Sequence, residues 1–240
     1  MDERRMMYLP LGNPILFLML IFIPIFFIML FINVVQDAFM NLGLPPMAAS
    51  FFVVLSIVGS LINIPIREYK FTRTVRYDKP NNLFFSWLYP QSHQYQQMST
   101  STTLSINLGG AVVPLVICLY IFLRYPGYVF PWCLVTIPLA VLVCYRIARI
   151  VPNVGIVMPT FVPPLAASTL AMIFVGSGDV VSLAYVTGVL GVLIGADLLN
   201  LKKITDTAAS TVSIGGAGTF DGIFLTGIVS VFLGKIVSIM

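Results

Sequence analysis

Charge is what this sequence has least of. Only 9% of its 240 residues are charged, against about a quarter in an ordinary soluble domain, which excludes a water-soluble globule. Histidine and cysteine are scarce as well, with one His and three Cys. Cys118, Cys133 and Cys144 fall in apolar runs without Cys-x-x-Cys spacing, and His93 stands alone in a polar stretch. A zinc or haem centre, a disulfide framework and a Ser-His-Asp triad each lack their parts. No metal or cofactor is therefore expected. The net charge of +4 reads as loop charge that sets membrane topology, and no nucleic-acid partner is expected.

Apolar residues are what the chain has in plenty, at 58%. A membrane crossing takes about twenty of them. Seven stretches are long enough or nearly so: Ile15–Val35, Met47–Ile64, Leu104–Leu123, Pro131–Ile147, Gly155–Val175, Val180–Leu199 and Gly222–Ile239. The first is too long for a signal-peptide core and has no small-residue cleavage site after it. Pro159, Pro163 and Pro164 interrupt the fifth, which suggests a broken or re-entrant helix. The expected fold is an all-α integral membrane protein of about seven transmembrane helices. It forms a single polytopic domain over residues 1–240, with some helices broken by Gly and Pro.

Basic residues give the orientation. Arg4 and Arg5 precede the first span, and Arg67, Lys70, Arg73, Arg76 and Lys79 follow the second. Arg146 and Arg149 follow the fourth, and Lys202 and Lys203 the sixth. With seven alternating spans all of these share one side, leaving Arg124 and Lys235 on the other. By the positive-inside rule that side is cytoplasmic, so the N-terminus is inside and the C-terminus outside. The expected location is the inner, cytoplasmic membrane, with membrane lipids as neighbours.

Polar and Gly/Pro residues gather at the cytoplasmic ends of these spans. They include Asn63, Asn107, Gly109, Gly110, Asn153, Gly195, Asn200, Gly215, Gly216, Gly218 and Thr219, and the outer ends have little comparable beyond Asp37 and Asp179. Backbone freed at such places must be buried in protein or line water. A cytoplasm-facing polar cavity, binding substrate or an ion through these residues, is one reading; ordinary caps and turns are the other. Asp197 near the end of the sixth stretch and Asp221 at the head of the seventh lie at similar depth on antiparallel spans. Carboxylates at membrane depth are costly and mark function, and two in one low-dielectric site can act together as acid and base. The alternative makes Asp221 an N-cap and Asp197 an interfacial residue. Gly215-Gly216-Ala217-Gly218 has the look of a phosphate cradle, but it lacks a Gly-Lys-Thr/Ser ending and Asp221 would repel an anion.

Between the second and third stretches lies one sizeable loop, residues 67–103, expected on the cytoplasmic side. Tyr69, Phe71, Val75 and Tyr77 alternate with Lys70, Thr72, Thr74 and Arg76, a period of two that predicts a short strand. The Gln-rich part from Gln94 to Gln97 reads as a turn or mobile section. The loop suits the surface of an anionic bilayer or, as an exposed strand edge, an extended peptide.

Several segments carry a resemblance. Gly59-Ser60-Leu61-Ile62-Asn63-Ile64-Pro65, Asn107-Leu108-Gly109-Gly110-Ala111 with Pro114, and Val154-Gly155-Ile156 with Pro159 and Pro163-Pro164-Leu165 are three of them. Gly195-Ala196-Asp197-Leu198-Leu199-Asn200-Leu201 and Ser213 through Gly227 complete the set. Together the chain resembles the prokaryotic membrane proteins grouped as domain of unknown function 1614. That resemblance implies the architecture and no activity. The placing of the two aspartates is also similar to that in intramembrane aspartyl proteases of the presenilin and signal-peptide-peptidase kind. Their second aspartate follows Gly-x-Gly, whereas Asp221 follows Phe220 with Gly218 three before it. Asp197 follows Gly195-Ala196 rather than a tyrosine.

Three functions compete. An intramembrane aspartyl protease would use Asp197 and Asp221 as paired acid and base on a transmembrane or membrane-bound peptide. An ion-coupled carrier would use the same aspartates with broken helices around a small ion. A non-catalytic scaffold would use the small-residue ridge Ala184, Gly188, Gly191 and Gly195 for close helix packing. The aspartate pair is the most specific chemistry present, and it favours the protease.

Overall fold

Long apolar runs, punctuated by proline and glycine, set the helices. The computed structural model describes residues 14–76, 95–127, 129–151, 155–175, 179–205 and 211–239, and the chain divides into two compact units, Met1–Val53 and Val54–Met240.

The first unit holds α1 (Pro14–Asn41) and the start of α2 (Pro46–Gly59). Gly43, at φ 87°, makes the turn between them. From Ile15 to Leu30 the apolar side chains of α1 are exposed on every face, a surface compatible with hydrocarbon and not with water. Burial begins further along, at Val35, Ala38, Phe39 and Leu42.

In the second unit the helices are joined by a sheet. β1 (Asn63–Arg76) and β2 (Tyr95–Asn107) pair antiparallel from Asn63 opposite Asn107 to Arg76 opposite Tyr95. A register shift between Pro65 and Arg67 accommodates the proline on this edge strand. β2 runs into a π turn, Leu108–Val112, and then α3 (Val113–Arg124), with Pro114 in its first turn. α4 (Val129–Ile147) follows, then a small hairpin of β3 (Arg149–Val151) and β4 (Gly155–Val157). α5 (Val162–Val175) carries Pro163 and Pro164 in its first turn, where proline costs no helical hydrogen bond. α6 (Val180–Val192) is capped by Asp179, whose carboxylate accepts from Ser182 N–H at 3.1 Å. It continues as a second π turn, Leu193–Leu198, and a short α7 (Leu201–Thr205). β5 (Thr211–Ile214) lies parallel to β2 and completes a three-stranded sheet in the order β1-β2-β5. A 3-10 turn, Gly218–Phe220, leads to α8 (Gly222–Ile239).

α6 is the centre of the helical layer, with α3, α4, α5 and α8 packed against it. Every residue from Ser182 to Val189 is buried, as expected of a helix apolar all round. Its small residues are spent inside the chain. Gly188 lies against Thr226, Ser230 and Ala167, Gly191 against Ala140, and Gly195 against Val141 and Cys144. The hydroxyls of Thr136 and Thr187 bond at 2.8 Å between α4 and α6. The ridge expected to serve a scaffold thus faces α4, α5 and α8 of the same chain.

The fold is predominantly helical. Among the described residues three helices are long and apolar enough to cross a membrane, Ile15–Asn41, Val129–Ile147 and Val180–Leu198, and four shorter apolar ones are Pro46–Gly59, Leu108–Arg124, Val162–Val175 and Gly222–Ser238. Each of the seven apolar stretches read from sequence overlaps one of these helices, but several boundaries differ. The second stretch ends as helix at Gly59, because Asn63 is drawn into β1. The third does not start at Leu104: Leu104 to Asn107 alternate and pair as strand. The fifth is divided, with Gly155–Val157 in β4 and helix from Val162. The described parts of the loop from Arg67 are paired strands, the ends of β1 and β2. Gln96 and Gln97, expected in a turn, are paired with Val75 and Thr74 in β2, held by cross-strand bonding that local composition does not reveal.

Candidate functional site

Two groups of the sequence-predicted residues come together, and they do different things. The first is a polar knot at the base of the hairpin. Asn107 is fully buried; its amide donates to Ser60 O at 2.9 Å and to Asn63 Oδ1 at 3.0 Å. Its own oxygen accepts from Gly110 N–H at 2.8 Å and so caps the first π turn. Ser213 Oγ donates to the same Asn63 Oδ1 at 2.7 Å. Thr219 N–H donates to Ser60 Oγ at 3.0 Å, and that hydroxyl donates to Ser56 O at 2.6 Å. Backbone meets backbone here without side chains between. Gly109 lies against the Ser56 carbonyl, and Gly110 against the carbonyls of Gly215 and Gly218. Gly215 and Gly218 hold φ of 69° and 63°, a region that costs an L side chain about 1 kcal/mol or more. Gly216 is exposed in the intervening turn, its N–H on Ser213 O at 3.1 Å.

Aspartates define the second group. α6 and α8 are antiparallel, since Gly234, Gly227 and Gly222 of α8 meet Val181, Tyr185 with Val189, and Val192 in turn. The last turn of α6 therefore lies at the first turn of α8. Asp197 sits in the π turn Leu193–Leu198, whose closing bond runs from Leu199 N–H to Ile194 O at 3.0 Å. Such one-residue insertions re-aim side chains and recur at functional sites. Asn200, buried, holds this turn by donating to Gly195 O at 3.3 Å and Ala196 O at 3.0 Å. Asp221 caps α8, its Oδ1 accepting from Ile223 N–H at 2.9 Å. Both aspartates are half-buried, and they lie at the adjoining ends of α6 and α8.

Burial raises the Asp221 carboxyl above the usual carboxylate range, while the N–H groups of Ile223 and Ala217 pull it down. Burial prevails, because taking a carboxylate out of water disfavours its charged form. The N-cap reading of Asp221 and its reading as half of a pair are thus compatible: a single oxygen serves the cap.

The polar knot and the aspartates are joined through one segment, Ser213 to Asp221. β5 enters the knot, Gly215 and Gly218 fold under Gly110, and the chain emerges at Asp221. Asn153 lies outside the described residues. Ser60, by contrast, is a knot residue that sequence reasoning did not single out; its signal was position within the Gly59–Pro65 segment. Neither π turn had one. Among the described residues no group of three His, Cys, Asp or Glu could hold a metal ion.

A family model described as protein of unknown function (DUF1614) matches residues 57–233. No curated protein and no solved structure matches the chain.

Proposed function

The chain belongs to this family of unknown function, and we propose from its site that it is an intramembrane aspartyl peptidase. The observation that carries the reading is the placing of Asp197 and Asp221 at adjoining ends of two antiparallel helices, each partly shielded from water. Two like carboxyls in one such site hold a proton between them. One carboxylate takes a proton from a water whose oxygen adds to the scissile carbonyl. The other carboxyl gives its proton to the departing amide nitrogen as the C–N bond breaks.

The substrate in this reading is a transmembrane or membrane-bound peptide. β5 is an edge strand of its sheet as described and leads through the Gly215–Phe220 turns to Asp221, so an extended segment of substrate paired along it would run toward the aspartates. Weighing against a carrier is the polar knot: Asn63, Asn107, Ser60 and Ser213 spend their hydrogen bonds on one another. The surrounding architecture in this reading is seven spans in the cytoplasmic membrane, N-terminus inside and C-terminus outside, with the aspartates toward the cytoplasm.

The test is reconstitution in liposomes with a pool of single-span peptides in ¹⁸O water, followed by mass spectrometry. Cleavage with ¹⁸O in the new carboxyl terminus is expected. General acid–base catalysis contributes about 10²- to 10⁴-fold, so Asp197→Asn and Asp221→Asn should each lower the rate at least about a hundredfold. Equal cleavage by wild type and both variants would reject the peptidase.

A further inference from the structure

The C-terminal ends of α4 and α6 supply a second feature, beside the turn that carries Asp197. These helices are parallel, because Thr136, Ala140 and Cys144 meet Thr187, Gly191 and Gly195 in the same order. They finish together, which gathers the basic residues that follow each: Arg146 in the last turn of α4, Arg149 opening β3, and Lys203 in α7. Lys203 Nζ reaches back to within 5.3 Å of the Tyr145 ring centroid and 3.5 Å of its hydroxyl. All three cations are exposed, and among the described residues none has a carboxylate at ion-pair distance. Two helix C-termini offset only about one unit charge, so positive charge remains in excess.

An apolar strip leads away from this cluster. Val135, Leu139 and Leu142 are 42%, 40% and 53% exposed, and helical spacing puts them on one face of α4 with Arg146. At about 1.5 Å per residue, Arg146 to Val135 at the far end of the strip is about 16 Å, close to the half-thickness of about 15 Å of a bilayer's hydrocarbon core. Free phosphate or an acidic peptide would match the charges and leave the strip bare.

We propose that the α4 end and α7 bind an anionic phospholipid, its phosphate on Arg146, Arg149 and Lys203 and one acyl chain along Val135, Leu139 and Leu142. The site stands one hydrogen-bonded step from the turn that carries Asp197. Lys203 donates to Asn200 Oδ1 at 3.4 Å, and Asn200 holds the carbonyls of Gly195 and Ala196.

Native mass spectrometry of the full chain, released from nanodiscs of equal phosphatidylglycerol and phosphatidylcholine, tests it. Wild type should retain phosphatidylglycerol in preference. At about 1 kcal/mol per cation near the surface, Arg146→Gln with Lys203→Gln should weaken that preference roughly thirtyfold. Arg146→Lys with Lys203→Arg should keep it, which separates lost charge from misfolding. Lys235→Gln, on α8, should change nothing. Equal retention of both lipids by wild type, or displacement of the lipid by millimolar inorganic phosphate, would overturn the proposal.

Discussion

Asn107 and Asn63 meet side chain to side chain at 3.0 Å across the base of the hairpin, 44 residues apart in sequence. Asn107 also satisfies Ser60 O and the Gly110 N–H, so one buried amide ties the turn after α2, β1 and the first π turn together. Its loss removes the bonds to the buried Gly110 N–H and the part-buried Ser60 O, at about 1–3 kcal/mol each, while Asn63 Oδ1 keeps Ser213. Asn107→Ala should lower stability by that order in a denaturation series in mild detergent. Asn107→Asp should fare no better, since it keeps an acceptor for Gly110 but sets an oxygen against Asn63 Oδ1 and Ser60 O. Wild-type stability in the Asp variant would show that the donated bonds contribute little.

Close backbone approach makes a second expectation. A methyl at Gly110 would run into the carbonyls of Gly215 and Gly218, whereas one at Gly127 would meet nothing within 4 Å. Gly110→Ala should cost about 1–3 kcal/mol through forced displacement, or abolish folding, and Gly127→Ala should be neutral. Thermal unfolding of the two variants compares them directly.

Thr136 and Thr187 offer a measurement of one interhelical hydrogen bond. Such bonds within membranes are modest, averaging about 0.6 kcal/mol in double-mutant cycles. A cycle with Thr136→Val and Thr187→Val should give coupling of about that size. Strict additivity would mean that the hydroxyls do not bond in the bilayer.

pH should act through Asp221. Its carboxyl keeps a proton to higher pH in the fold than in the unfolded chain, where the value is about 3.9. Between those two values the native state binds more protons, so stability falls as pH rises through the window. Asp221→Asn keeps an acceptor for Ile223 N–H and removes the penalty of burying charge. At pH 7 it should melt no lower than wild type, any advantage fading below about pH 4. Asp221→Ala, which loses the cap, should cost about 1 kcal/mol. A melting temperature for Asp221→Asn well below wild type at pH 7, persisting in acid, would count against this.

Helix positions were legible in the sequence because lipid demands apolar runs, and the apolar stretches carry them. Boundaries were legible only where a local signal existed. Gly222 starts α8 where expected, after Asp221. Leu104-Ser105-Ile106-Asn107 alternates with a period of two, yet its apolar content placed it in a span; pairing with β1 and β5 decides otherwise. The cluster of Asn and Gly at helix ends was visible, but its internal bonding was not, because Ser213 reaches Asn63 across 150 residues. The π turn around Asp197 is one inserted residue in a helix, a distortion that no spacing of side chains announces.

Central to the account is that Asp197 and Asp221 form one site. The direct measurement is the titration of a ¹³C-labelled Asp197 carboxyl by NMR, in wild type and in Asp221→Asn. If the two carboxyls share a site, removing the charge on Asp221 should move the Asp197 midpoint to lower pH. An unchanged midpoint would contradict the shared site and, with it, paired acid–base chemistry.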